Sequence, residues 1–88
     1  MNNIAEDWDM SPARIEPNKT TYSGRFAARL RSLRERADLT IEDMVAKTGF
    51  PQRTIYRWEA GYRMPPVDAY PILAEALGVK VRTLLPDK

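Results

Sequence analysis

The tightest constraint in the sequence is a joint at Gly49-Phe50-Pro51, where one short helical pattern stops and another starts. Upstream, Thr40 offers an oxygen to cap a helix, and Asp43 three residues on is a short-armed capping-box partner. Leu39 before the cap and Met44 four residues after it make a candidate hydrophobic staple. Ile41, Met44, Val45 and Thr48 then share one face until Gly49 stops the helix, because glycine accepts positive φ cheaply. Downstream, a second pattern opens at Pro51 or Gln52 and runs to Ala60, closed by Gly61. Proline suits the first turn, where its missing N–H has no intrahelical partner to lose. Val45, Phe50, Ile55 and Trp58 fill the angle between the two helices, which leaves Gln52, Arg53, Tyr56 and Arg57 facing outward.

Around this joint lie three further helical patterns. The first runs from about Arg25 to Arg36, with Phe26, Ala27, Leu30, Leu33 and Ala37 on one apolar face. A later one carries Leu73, Ala74, Ala76 and Leu77 and ends at Gly78. Asp68 as its N-cap places Pro71 in the tolerated first turn. Val81, Leu84 and Leu85 predict a last short helix before Pro86. No strand pattern competes and nothing repeats. The expected fold is all-α, a compact five-helix bundle over residues 23–86 with a helix-turn-helix at its joint. Residues 1–22, with Pro12, Pro17 and Asn18, show no sustained period and read as a flexible N-terminal tail. Its Ile4, Trp8 and Met10 are candidate anchors for a partner protein.

Eighty-eight residues make one small domain, which buries only about 60% of the surface its unfolded chain exposes. The chain has no Cys and no His, so disulfides, thiolate metal sites and the commonest general base are all missing. No pair of the remaining groups forms a catalytic arrangement, no cofactor motif appears, and an enzyme is not expected. The N-terminus holds Glu6, Asp7 and Asp9 where a secretion leader needs basic and apolar residues, and no stretch is apolar enough for a membrane span. The expectation is a cytoplasmic protein without membrane contact. Net charge is +2, unevenly spread: residues 1–22 carry −2 and the remainder +4. Nine basic residues lie between Arg25 and Arg63, eight of them Arg, whose planar donor fork suits phosphate and guanine.

The outward set on the helix from Gln52 to Ala60 has a chemistry of its own. Arg donates bidentately to guanine O6 and N7, and Gln pairs with adenine N6 and N7. A helix N-terminus attracts phosphate through its unpaired N–H groups. Gln52, Arg53, Tyr56 and Arg57 are therefore candidate base contacts in the major groove of double-stranded DNA. Thr40 and Thr54 are candidate contacts to its backbone. The plain alternative is an ordinary solvated helix face.

From Phe26 to Leu85 the chain resembles the phage repressor and Cro type of helix-turn-helix domain, the lambda-repressor-like bundle. The matching strings are Leu30-Arg31-Ser32-Leu33-Arg34, Leu39-Thr40, Gly49 and Thr54-Ile55-Tyr56-Arg57-Trp58-Glu59-Ala60-Gly61. Pro65 and Leu73-Ala74-Glu75-Ala76-Leu77-Gly78-Val79 follow at matching spacing. The resemblance implies a structural ion pair between Arg34 and Glu59, base contacts at Gln52, Arg53 and Arg57 with Tyr56 beside them, and Arg63 near the DNA backbone. It further implies a transcriptional regulator, a repressor or antitoxin-like protein acting as a homodimer on DNA. Dimer contacts are expected from the last two helices, the tail or the DNA itself. Two positions depart from the type. Ile41 stands where a Gln commonly contacts phosphate and supports the recognition helix, and Pro51 stands near a favoured Ser or Thr. These departures leave open a protein-interaction module that keeps the fold without specific DNA binding.

Overall fold

The computed structural model describes residues 20–86. Among the described residues five helices follow one another: α1 (Tyr22–Arg36), α2 (Ile41–Thr48), α3 (Gln52–Ala60), α4 (Ala69–Leu77) and α5 (Val81–Leu84). There is no strand among the described residues, and the molecule is an all-α helix-turn-helix bundle. The anchor residues Ile4, Trp8 and Met10 of the expected tail lie outside the described residues.

The helix α1 begins at Tyr22, earlier than the apolar period suggests. Thr21 caps it, with its hydroxyl oxygen accepting from the Gly24 amide at 3.0 Å. The first turn carries small residues that packing, not periodicity, holds in place. A Cβ at Gly61 would stand 3.4 Å from Gly24 Cα, so this turn lies directly on the end of α3. The Ser23 hydroxyl also donates to the Gly61 carbonyl at 3.4 Å. At its other end α1 stops at Arg36, and Asp38 takes a left-handed φ of 62°. Ala37, expected on the apolar face, is the exposed C-cap of this helix instead. The chain has already turned away from the core there.

The helix α2 has the full capping box. Thr40 Oγ1 accepts from the Asp43 amide, and the Asp43 carboxylate accepts from the Thr40 amide at 2.9 Å. Gly49 ends the helix at φ 82°, a conformation that costs an L-residue roughly 1–2 kcal/mol. The turn is tied further by Thr48, whose hydroxyl donates to the Met44 carbonyl at 2.7 Å and accepts from the Phe50 amide at 3.1 Å. Pro51, extended at ψ 150°, occupies the N-cap position of α3, one residue before the helix proper. Asp68 takes the N-cap position of α4, which puts Pro71 in the first turn as expected.

Phe26, Leu30, Met44, Ile55, Leu73 and Leu84 are fully buried and draw on all five helices. Truncating such a Leu to Ala costs about 2–5 kcal/mol. Phe50 stacks edge-on against Trp58 with centroids 5.1 Å apart, which fills the angle between α2 and α3. Phe26 and Tyr70 make a second edge-on pair at 5.9 Å, joining α1 to α4. The end of the bundle is closed by Arg29, whose Nε donates to the Thr83 carbonyl at 2.6 Å.

Candidate nucleic-acid interface

Helix α3 is presented by its own amphipathic pattern. Ile55, Trp58, Glu59 and Ala60 are buried on one side, and Gln52, Arg53 and Arg57 are exposed on the other. Tyr56 and Thr54 lie between these extremes, half-buried. The four candidate base contacts therefore do not share one environment. Arg53 and Arg57 extend into solvent, whereas Tyr56 sits against the frame. Gln52 Nε2 donates to Tyr56 Oη at 2.7 Å, a contact that the sequence reading did not identify. Residues four apart on a helix are neighbours, so the spacing permitted this bond without singling it out.

What fixes α3 in space is the Arg34–Glu59 pair. Arg34 Nε donates to one Glu59 oxygen at 2.7 Å and Nη2 to the other at 3.1 Å. Glu59 is 1% exposed and the Arg34 side chain 13%. Nη1 donates to the Leu39 carbonyl at 2.8 Å, so one guanidinium grips both the end of α3 and the loop entering α2. Burial alone would push the Arg34 pKa down. The hydrogen bond and negative charge of Glu59 more than offset it and hold the guanidinium above its ordinary value. The Glu59 carboxylate oxygens are each met by an Arg34 donor. The charge is spent on structure.

This sorts the basic residues by what they do. Arg29 and Arg34 bond within the fold, and Arg31 lies 3.6 Å from Glu35 one turn along α1. Arg25 stands over the Tyr22 ring at 5.8 Å. Arg53, Arg57 and Arg63 are exposed, the first two on α3 and the third in the loop beyond it. The N-terminus of α3 has no side-chain cap and no acidic residue in its first turn. It is the positive end of a helix dipole with no built-in counter-charge.

Thr40 and Thr54 differ in what they can still offer. The Thr40 amide donates to the Asp43 carboxylate and its hydroxyl accepts from the Asp43 amide, so both are engaged in the capping box. Thr54 is in the first turn of α3, with its amide donating to the Pro51 carbonyl at 3.0 Å. Ile41 is half-buried and packs against the core.

Among the described residues no cluster of three or more His, Cys, Asp or Glu could hold a metal ion. No helix among them is long and apolar enough to cross a membrane. No curated protein matches the chain. The family model described as a helix-turn-helix domain matches residues 25–86, from the first turn of α1 to the second residue beyond α5. With the capped α2, the left-handed Gly49 turn and the outward arginines of α3 spanned by that match, the chain belongs to the helix-turn-helix domain family, a family of DNA-binding domains.

Proposed function

We propose that the chain is a sequence-specific transcriptional regulator of the phage repressor and Cro type, a repressor working in the cytoplasm as a homodimer on DNA. In this reading α3 enters the major groove, Gln52, Arg53, Tyr56 and Arg57 meet base edges, and Thr40, Thr54 and Arg63 meet the backbone. The observation that carries it is the pairing of exposed Arg53 and Arg57 with a helix whose far end is clamped by a buried ion pair. Base reading needs donors on a rigid support, because a loose side chain loses more conformational entropy on binding. The uncapped, carboxylate-free start of α3 adds a place for a phosphate.

Selection of binding sites from a random duplex pool, followed by salt titration, tests this directly. Affinity should fall with salt at a slope of about −0.9 per phosphate neutralised. Arg53→Ala or Arg57→Ala should cost about 1–3 kcal/mol on the selected site and little on random duplex. Arg63→Ala should weaken both and reduce the slope by about 1. Failure to enrich any sequence, with salt-insensitive binding to every duplex, would turn the reading over to a protein-interaction module.

A further inference from the structure

We infer that Tyr56 is a positioning residue for Gln52: its hydroxyl holds the Gln52 amide so that one donor and one acceptor face an adenine edge. The inference rests on the reading of α3 as a DNA reader and names how its first residue is aimed. Gln52 opens α3, where Pro51 provides no side-chain cap to engage it. An exposed Gln at a helix start samples several rotamers, and fixing them on DNA costs entropy.

The fold removes part of that freedom beforehand. Tyr56 Oη lies one turn on and accepts from Gln52 Nε2 at 2.7 Å, at the short end of the N–H···O range. Tyr56 is itself half-buried. A mobile amide is thus tied to a ring that the bundle restrains. Donor accounting then gives the preference. A Gln amide has two N–H donors and one carbonyl acceptor. With one donor spent on Tyr56, a donor and the acceptor remain, which is the pair adenine N7 and N6 require.

The conservative variant Tyr56→Phe keeps the ring and removes the hydroxyl. In the free full-length chain, the Gln52 side-chain amide resonances should shift and sharpen in this variant, with the melting temperature little changed. The reciprocal measurement, the Tyr56 ring resonances in Gln52→Ala, leaves the half-buried ring untouched and reports the same coupling. On the selected duplex with each base pair replaced in turn, Tyr56→Phe should lower discrimination about 2- to 10-fold at the position that Gln52→Ala erases. The double variant should be no worse than Gln52→Ala alone, as for two residues acting through one contact.

Unchanged Gln52 resonances in Tyr56→Phe overturn the inference while leaving the DNA reading intact. So do equal losses on every duplex, or additive losses in the double variant. A chain that shows the coupling but selects no sequence overturns the DNA reading, and this role with it.

Discussion

At the scale of single residues, the most consequential group is Arg34, because its three bonded nitrogens tie two other parts of the chain to α1. Two go to the nearly inaccessible Glu59 carboxylate and one to the Leu39 carbonyl. Removing the guanidinium strands a buried negative charge, whereas removing both members leaves an apolar gap that can repack. Arg34→Met should therefore cost about 3–5 kcal/mol in urea unfolding, and adding Glu59→Leu should recover much of it. Equal losses for the single and double variants would mean that the Leu39 bond, not the ion pair, carries the stability. The sequence alone could not have paired these residues. They are 25 positions apart, and only the resemblance joined them. Gln52 and Tyr56 pose the opposite difficulty. Their spacing was plain, but many i, i+4 polar pairs never bond, so the contact had to be seen in three dimensions.

Among the elements, α2 shows how local chemistry sets the angle of its neighbour. The capping box fixes where α2 begins and the left-handed Gly49 fixes where it ends, so α3 starts from a defined point. These features were legible because each rests on a residue type: a hydroxyl at Thr40, a carboxylate at Asp43, a missing Cβ at Gly49. The first turn of α1 was not legible, since Ser23 and Gly24 pack through smallness and give no apolar period. Nor did the period reveal that Ala37 lies beyond the end of that helix. The capping box has a pH signature. Hydrogen bonds from the Thr40 amide and hydroxyl hold the Asp43 carboxyl below its ordinary 3.8. A lowered carboxylate pKa stabilises the fold fully above the unfolded value and loses that contribution as pH falls through the folded one. The stability gap between the native chain and Asp43→Ala should be constant near neutrality, narrow below pH 3.8 and level out in stronger acid. Parallel urea midpoints across the whole acid range would show that the carboxylate contributes nothing beyond the threonine cap.

For the molecule as a whole, the proposed function turns on how little DNA one copy would read. Helix α3 has nine residues, and at about 1.5 Å per residue it is roughly 13 Å long. Against a rise of about 3.4 Å per base pair that is about four base pairs, too few to mark a site among the millions of competing sequences in a genome. Two copies related by a two-fold axis would double the reading and require inverted half-sites. Half-sites one duplex turn apart would require the two α3 helices of such a pair to lie ~34–36 Å apart. The fold brings α4 and α5 together at one end of the chain, with Ile72 and Val81 partly exposed, which offers apolar surface for such a contact. If this arrangement holds, selected duplexes should contain two inverted half-sites centred about 10 base pairs apart. Inserting about five base pairs between them turns one half-site to the opposite face of the duplex. Gel-shift titration should then show the joint complex replaced by single-copy binding of much lower affinity. Unaltered affinity on the spaced duplex would mean that each copy binds alone and that specificity is completed by something other than a second α3.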